Sequence, residues 1–515
     1  MKYLFRLVQL VVCTCMIMCT QNVVRAQIRT PERVVAGDSV RRSLRPQPVR
    51  ELRADIDNIL TTAEWSSSSV GVLVVALETG EVIYQRDADR YFTPASLQKL
   101  FTTGAALSTF GPEHRFVTSI YLDGSIQPNG EYDGNIIIRG DGDPSWSASF
   151  GQPVDTILDR IIDIIDAAGI RSIRGALIAD DDVFDDEQYA PGWSWDDLAY
   201  AYAAQVGGLA IADNSVRISV IPPLSASDLP LVKVVPATDY VRVIPTLRVV
   251  DSSGPTTLEP YRDFRSNTID VLGTIGLRGQ TDTVTLSVSV ENPTMYMLTL
   301  LRDGLMRRGI RARTALIDVD DWSEQLDYDR YRRIGDVRSP RLADIVTTIN
   351  RRSHNLGAEM LLKHVGRAVT GEGSFPSGAD AVRRWLRQMG ISPTEQTIVD
   401  GSGLSRLNLC TPRQLVSLLA SMHRSTSSAS FRQSLAAPGE EGTLRRRLID
   451  TRAQGAIRGK TGSMNNVSTL AGYVDTRDGE QWAFVIMLNN IVVPQTMSQN
   501  LQDLICMRLA SFSRR

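Results

Sequence analysis

Strand-forming segments lie near both ends of this chain of 515 residues. Residues 70–77 and 82–85 are rich in β-branched side chains and are joined by a short polar turn, which predicts a hairpin. Similar runs occupy residues 455–462, 468–475 and 481–488. Much of the sequence between them has the helical spacing of apolar residues. We therefore predict an α/β core in which one sheet takes strands from both ends of the chain.

The middle of the sequence has a different character. Short β-branched runs alternate with Pro, Gly and Asn between about residues 206 and 292. A chain of this length exceeds one ordinary hydrophobic core. We predict that residues 50–112 and 296–515 form one domain around this sheet, and that residues 113–295 form one or two β-rich inserted domains.

The N-terminus has the pattern of a targeting signal. Two basic residues precede an apolar run at residues 7–19, and the small residue Ala26 follows at a suitable distance for cleavage. We expect a signal peptide over residues 1–26 and a flexible lead-in over 27–49. A lipoprotein anchored at Cys19 is the alternative, although the bulky residue before it argues against this. No later apolar run is long enough for a transmembrane helix, so we expect export to the periplasm or cell envelope.

The net charge and the number of cysteines indicate which partners and which disulfides to expect. The formal net charge of −2 gives no general attraction to nucleic acid. Beyond the signal, the chain keeps two cysteines, Cys410 and Cys506. In an exported protein they could form a disulfide or remain separate buried thiols, and the sequence leaves both possibilities open.

One short segment, residues 93–100, carries the clearest chemical signal. Thr93 is expected to cap a helix and Pro94 to occupy its first position. Ser96 and Lys99 are three residues apart, so they would share one helix face. A hydroxyl beside an amine is a nucleophile beside a base, provided that the amine can lose its proton. Alone, this pattern also fits a lysine that is simply solvated.

The scarcity of lysine strengthens the catalytic interpretation of Lys99. Only five of the 56 basic residues are lysines, and the rest are arginines. Arginine stays protonated in proteins, whereas a desolvated lysine can deprotonate. A lysine retained at this position is therefore consistent with a role that requires proton transfer.

Two motifs later in the chain could complete such a site. The first is Ser353-His354-Asn355, in which a second hydroxyl could relay a proton and an amide could hold a substrate. We expect His354 to be a surface or core polar residue rather than a catalytic one. Ser-x-Asn is common and also occurs twice later in the chain, so this motif is weak by itself.

The second motif is Lys460-Thr461-Gly462-Ser463, on the first of the three C-terminal strands. Lys460 offers a positive charge, and the two hydroxyls could bind a carboxylate. Gly462 would let a substrate backbone approach closely. The N–H groups of Ser463 and Ser96 would form an oxyanion hole.

The three motifs, in this order, resemble those of the penicillin-recognising serine enzymes. The separation of 254 residues between Lys99 and Ser353 is much longer than in simple β-lactamases. It resembles the D-alanyl-D-alanine carboxypeptidase/endopeptidases, the class C low-molecular-mass penicillin-binding proteins. Residues 140–146, 400–405 and 462–473 are similar to that family as well. His354 is a departure, since Asp or Asn is more usual there.

The resemblance implies a β-lactamase/transpeptidase-like catalytic domain that carries inserted domains. It implies that Ser96 attacks a D-Ala-D-Ala bond of peptidoglycan peptides with Lys99 as base, and that penicillins trap Ser96. Ser353 and Asn355 would relay the proton and position the peptide. Lys460, Thr461 and Ser463 would hold its carboxylate. No metal or cofactor is required, and peptidoglycan peptides and β-lactams are the expected partners.

Two alternatives remain at this stage. A β-lactamase shares the first half of the chemistry, but the long insertion and the lack of an evident deacylation base argue against it. A non-catalytic peptidoglycan-binding protein on the same fold is the other, and it would have no need for Lys99. The sequence does not separate carboxypeptidase from endopeptidase action.

Overall fold

The computed structural model describes residues 48–251, 255–278, 282–392 and 397–514. The predicted signal peptide, and the predicted lead-in up to residue 47, lie outside the described residues. Within the described ranges, no helix combines the length and the apolar character needed to cross a membrane.

The helices are distributed along the whole described chain. They are α1 Val49–Leu60, α2 Gln98–Phe110, α3 Val154–Ala167, α4 Pro293–Arg307, α5 Leu342–Arg352, α6 Asn355–Thr370, α7 Phe375–Gln388, α8 Pro412–His423, α9 Ser428–Ser434 and α10 Gln495–Ser511.

The strands cluster at the two ends and in the middle. They are β1 Ser69–Ala76, β2 Val82–Arg86, β3 Val117–Leu122, β4 Ser125–Ile126, β5 Glu131–Asp133, β6 Ile136–Arg139, β7 Ser172–Ile173, β8 Leu177–Asp180, β9 Ser215–Ile221, β10 Leu231–Val235, β11 Arg242–Val249, β12 Thr257–Arg262, β13 Thr268–Ile275, β14 Val284–Ser289, β15 Leu316–Asp318, β16 Arg332–Arg338, β17 Ile457–Met464, β18 Val467–Asp475 and β19 Gln481–Asn489.

The core sheet joins the two ends of the chain. Its five antiparallel strands run in the order β17-β18-β19-β1-β2, and β1 pairs with β19 along its whole length. Val72 and Val74 face a cluster that contains buried residues of α1 and α10, whereas Leu73 faces α2 and α5 to α8. Because β1 is buried on both faces, its sequence reads as a continuous apolar run. The predicted α/β core is confirmed.

The segment between β2 and the later helices forms separate sheets. A five-stranded sheet has the order β15-β8-β6-β3-β16. Three further sheets have three strands each, in the orders β10-β9-β14, β11-β13-β12 and β4-β5-β7. The β-rich character predicted from the sequence is therefore present. The sequence pattern does not mark β12 and β13 individually, because Pro260 and Gly273 interrupt their β-branched runs.

Strand pairing bears on where the insertion ends. β15 and β16 follow residue 295, yet they pair with β8 and β3 inside the predicted insertion. Buried residues of α4 also belong to the hydrophobic cluster of these sheets. The domain boundaries stay predictions, and we propose that the second boundary follows Arg338 rather than residue 295, because main-chain pairing ties these strands to the insertion.

Candidate active site

Ser96 lies in a turn that leads directly into α2. Residues 95–97 form one 3₁₀ turn, and Ala95 has a positive φ of 49°. The predicted cap is wrong: no side chain caps this turn or α2. Thr93 instead pairs with the side chain of Asn489 on β19, through its N–H (2.7 Å) and its carbonyl (3.2 Å). The turn is thus fixed by the core sheet rather than by its own cap.

Lys99 is fully buried and has three hydrogen-bond partners. Its Nζ lies 3.0 Å from Ser96 Oγ, 2.7 Å from Asn355 Oδ1 and 2.7 Å from the carbonyl oxygen of Ser402. The predicted nucleophile–base pair is therefore in hydrogen-bond contact. None of the sequence motifs predicted that the Ser402 carbonyl would contact Lys99.

Burial controls the proton affinity of Lys99. Desolvation lowers the pKa of its amine to about 7, while the nearby carboxylates of Glu359 and Asp400 act in the opposite direction. A lysine with this pKa is substantially neutral at physiological pH. Its free amine can then accept a proton from Ser96.

Ser353 and Lys460 form a second pair of side chains in hydrogen-bond contact. Ser353 follows α5 in a left-handed conformation, with φ 60° and ψ 42°. Its Oγ accepts a hydrogen bond from Lys460 Nζ at 2.9 Å. Lys460 is also fully buried, and desolvation, followed by repulsion from Lys99, holds its pKa well below the usual value.

The rest of the second motif lies along the edge strand β17. A Cβ added at Gly462 would lie 2.9 Å from the Ser96 nitrogen, so the strand passes directly beside the nucleophile. Thr461 is half-buried and donates to Thr443 at 2.7 Å. Ser463 is exposed. The structure therefore places this strand where a substrate could lie between it and Ser96.

The inserted segment reaches the site at Asn355 and His354. Asn355 Nδ2 donates to the Tyr202 carbonyl at 2.8 Å, which fixes the amide so that its oxygen faces Lys99. The ring of His354 caps α6, because Nδ1 accepts from the Gly357 N–H at 3.0 Å. Its Nε2 lies 3.0 Å from an Asp213 carboxylate oxygen. His354 is thus a polar structural residue, as expected, with partners on both sides.

His354 therefore links the insertion to the motif that contains Ser353 and Asn355. We expect His354→Ala to lower the free energy of unfolding by about 1–2 kcal/mol through loss of the cap. We expect acylation to slow by roughly 10-fold, since small displacements of positioned groups lower rates steeply. His354→Asn can still cap, so it should recover most of both losses. Thermal unfolding and penicillin-labelling rates measure these effects, and equal losses in both variants would contradict the cap.

The carboxylate of Asp213, which contacts His354, makes the stability of the protein depend on pH. Burial raises the pKa of Asp213, but His354 and then the Ser147 and Ser149 hydroxyls outweigh it and hold the pKa at about 2. Because this lies below the ordinary value of about 3.9, the stabilisation from Asp213 is complete above about pH 4. It is lost as the pH falls towards 2.

The sequence analysis did not predict the two acidic residues that lie near the Lys99 amine. Glu359 and Asp400 are fully buried, and both lie within electrostatic reach of the Lys99 amine. Residues 400–405 resemble the family named above, but the resemblance assigns them no role. Their Gly-rich composition signals a tight turn, but nothing in it signals that a main-chain carbonyl would bind the amine.

The structure shows where the two cysteines lie and whether potential metal ligands cluster. Cys410 and Cys506 are separate, buried free thiols that lie in different hydrophobic clusters. In the described part of the chain, no group of three or more His, Cys, Asp or Glu side chains is arranged to hold a metal ion.

Comparisons with known proteins agree with this geometry. The family model described as the D-Ala-D-Ala carboxypeptidase 3 (S13) family matches residues 52–511. A D-alanyl-D-alanine carboxypeptidase of Actinomadura sp. (strain R39) is 33% identical over 473 residues, which are 90% of this chain and 85% of the relative. The carboxypeptidase DacB of Haemophilus influenzae is 28% identical over 82% of this chain and 85% of its own length.

Solved structures give the same result. The crystal structure of penicillin binding protein 4 (dacB) from Haemophilus influenzae matches with a TM-score of 0.75 and 25% identity. The match covers 89% of this chain and 98% of that chain. The fold is therefore that of the penicillin-recognising serine enzymes. A match to this peptidase family over residues 52–511 makes the protein a peptidase and hence a hydrolase. The chain belongs to the D-Ala-D-Ala carboxypeptidase 3 (S13) family.

Proposed function

We propose that this carboxypeptidase cleaves the terminal D-Ala-D-Ala bond of peptidoglycan stem peptides through an acyl-enzyme on Ser96. The observation that carries the assignment of the nucleophile is the contact of 3.0 Å between Ser96 Oγ and the buried amine of Lys99. A nucleophile within hydrogen-bond reach of a base with a pKa near neutrality is the arrangement that acyl transfer requires.

Acylation begins with proton transfer from Ser96 to Lys99. As the Ser96 oxygen forms a bond to the carbonyl carbon of the penultimate D-alanine, its proton passes to the Lys99 amine. The carbonyl oxygen gains negative charge, which the N–H groups of Ser96 and Ser463 stabilise. When the C–N bond breaks, the leaving nitrogen takes the hydroxyl proton of Ser353, and the proton that Lys99 accepted replaces it. The Ser353 oxygen also accepts a hydrogen bond from Lys460. Water then hydrolyses the ester and releases Ser96.

The substrate is anchored by charge on its terminal carboxylate. Lys460 lies within the site, and Thr461 and Ser463 supply hydroxyls along β17. Binding of one carboxylate by the Lys460 amine and these two hydroxyls would select a free C-terminus. This selectivity supports carboxypeptidase action, and action on cross-links remains a second outcome to be measured with cross-linked peptides.

β-Lactams fit the same chemistry. A crystal structure of the Haemophilus influenzae penicillin binding protein 4 contains a bound β-lactam. In the present protein, attack of Ser96 on a lactam would open the ring, and the departing amine would remain attached to the acyl group. The tethered product obstructs the water needed for deacylation, so β-lactams act as covalent inhibitors.

The location follows from the N-terminal pattern. The charged and apolar order of residues 1–26 supports export with cleavage of a signal peptide. We place the mature enzyme in the periplasm or cell envelope, where its substrate occurs. Retention of residues 1–26 on the secreted protein, detected by N-terminal sequencing, would contradict this placement.

Labelling with a fluorescent penicillin tests the function directly. We expect the wild-type protein to form a stable fluorescent adduct and to release D-alanine from a D-Ala-D-Ala peptide. Ser96→Ala should lose both properties because the nucleophile is gone. Ser108→Ala, at an exposed position of α2, is the matched control and should behave as wild type.

The other functions predict different results. Rapid turnover of the penicillin with no D-alanine release would indicate a β-lactamase. A folded wild-type protein that neither labels nor releases D-alanine would indicate a non-catalytic peptidoglycan-binding protein. Labelling that persists in Ser96→Ala would show that the nucleophile is another residue.

A further inference from the structure

The hydrogen bonds of Lys99 decide where its lone pair faces. A neutral amine has two N–H groups and one lone pair. Asn355 Oδ1 and the Ser402 carbonyl oxygen are acceptors only, and each lies 2.7 Å from Lys99 Nζ. Because these two acceptors take the two N–H groups, the lone pair is left for the Ser96 hydroxyl at 3.0 Å. The direction of the Ser402 carbonyl therefore bears on proton transfer from Ser96.

The carbonyl of Ser402 and the N–H of Gly403 belong to one peptide group. That group is planar, so a contact that fixes its N–H also fixes the direction of its carbonyl. Asp400 Oδ1 accepts the Gly403 N–H at 2.8 Å. The N–H groups of the two preceding peptide groups are bonded to a different side chain, that of Glu359. Asp400 is therefore the side chain that holds the peptide group which Lys99 contacts.

Asp400 is fully buried and is itself held by further donors. Its Oδ1 also accepts from Asn408 Nδ2 at 2.7 Å, and its Oδ2 accepts from the Ser405 N–H at 2.6 Å and Trp193 Nε1 at 3.1 Å. Burial raises the pKa of Asp400, although these hydrogen bonds act in the opposite direction. The positioning contact needs an acceptor at Oδ1, and it does not depend on the charge of the group.

One segment between β8 and β9 holds both acceptors of the Lys99 amine. Trp193 is half-buried against the hydrophobic cluster that contains α6, and its Nε1 donates to Asp400. Nine residues later, the Tyr202 carbonyl accepts from Asn355 Nδ2. The segment lies within the predicted insertion. It therefore contacts Asn355 directly and reaches the Ser402 carbonyl through Asp400.

We propose that Asp400 is a positioning residue that orients the amine of Lys99 through the Ser402–Gly403 peptide group, and that Trp193 of the predicted insertion holds Asp400 in place for this role. The proposal rests on the function assigned above, in which Lys99 is the base. It gives the inserted segment a part in acylation although neither of these two side chains contacts Ser96 or Lys99 through a hydrogen bond.

The test measures acylation by a fluorescent penicillin at increasing drug concentrations, which separates non-covalent binding from the acylation step. Asparagine has the shape of Asp400, but whichever way its amide is turned the NH₂ group faces N–H donors. The turn must therefore shift. We expect the acylation rate constant of Asp400→Asn to fall by roughly 10- to 100-fold, with penicillin binding unchanged. A wild-type rate constant, or an equal loss of binding and rate, would overturn the proposal.

The same substitution in the Lys99→Met background shows whether Asp400 acts through Lys99. Without the amine, the direction of the Ser402 carbonyl no longer affects proton transfer. We therefore expect Asp400→Asn to slow the residual acylation of Lys99→Met by no more than about 2-fold, because residues that act as one unit have non-additive effects. The full loss in both backgrounds would show a merely structural role and would overturn the proposal.

Trp193→Phe tests the contribution of the inserted segment. It keeps an aromatic ring in the same apolar surroundings but removes the Nε1 donor, so we expect acylation to slow by roughly 3- to 10-fold. Ser405→Ala is the matched control. It removes the hydroxyl that donates to the Pro191 carbonyl at 2.7 Å, another link between this segment and the turn, and leaves the acceptors of Asp400 in place. Its acylation rate constant should stay close to that of the wild type.

The outcomes of these variants separate the possible failures. A wild-type rate constant in Trp193→Phe would overturn the proposal even if Asp400→Asn does not fold. Equal slowing in Trp193→Phe and Ser405→Ala would also overturn it, because general loosening of the segment would then explain the effect. Absence of labelling in the wild type would instead refute the assigned function, so the two failures are distinguishable.

Discussion

Replacement of Lys99 by methionine is expected to slow acylation of Ser96 by about 10³-fold or more, within the range that positioned proton transfer contributes. Methionine fills the same buried space but has no lone pair that can accept the Ser96 proton. The Ser402 carbonyl and Asn355 Oδ1 also lose their donor. The rate of fluorescent-penicillin labelling, measured at matched protein concentration, gives the effect.

The pH profile of the wild type tests the same role independently. Because burial lowers the pKa of Lys99 to about 7, the fraction of neutral amine falls as the pH decreases below 7. We therefore expect acylation to decline on the acid side with a midpoint near that pKa. Lys233→Met, at an exposed position of β10, is the control and should leave the rate unchanged. Wild-type labelling by Lys99→Met would show that another group is the base.

Gly462→Ala is expected to lower the acylation rate by about 10²-fold, since a misplacement of about 1 Å can have that cost. A Cβ at this position would lie 2.3 Å from Thr469 Oγ1 and 2.9 Å from the Ser96 nitrogen. Thr469 cannot move away freely, because its hydroxyl donates to the Pro94 carbonyl at 2.9 Å. The added methyl group must therefore displace the turn that carries the nucleophile.

The same strand offers a matched control for this substitution. A Cβ at Gly459 would lie no closer than 3.2 Å to its neighbours, a flexible Leu470 methyl group first among them. We expect Gly459→Ala to retain labelling within a few-fold of wild type. Thermal unfolding of both variants separates a local effect from global destabilisation. Equal labelling by Gly462→Ala and wild type would show that the close approach of β17 to Ser96 does not constrain the reaction.

Much of the fold could be read from local patterns. The five strands of the core sheet lie within a few residues of their predicted positions, because β-branched runs bounded by turn residues are local signals. The Thr93 cap failed because a long-range contact with Asn489 replaced a local one. The domain boundary at residue 295 stays a prediction, and local patterns could not reveal that β15 and β16 pair with strands about 140 to 220 residues away.

The candidate site, like the fold, could be predicted from the sequence only in part. The structure places Lys99 in hydrogen-bond contact with Ser96 and Asn355, and Lys460 in hydrogen-bond contact with Ser353. Their identities were predicted from residue type and order, and their catalytic roles stay predictions. Glu359 and the Ser402 carbonyl were not predicted, because a glutamate in a helix and a peptide carbonyl occur throughout any sequence.

The sequence by itself determined that Ser96 and Lys99 share one face of a turn, since three residues of spacing place them together whatever surrounds them. It also determined which segments could form the sheet that carries Lys460. Only the tertiary structure decided that Lys99 would be fully buried between α6, the 400–405 turn and β17. That burial, and not the spacing, lowers the pKa of the amine, because desolvation depends on atoms brought from distant parts of the chain.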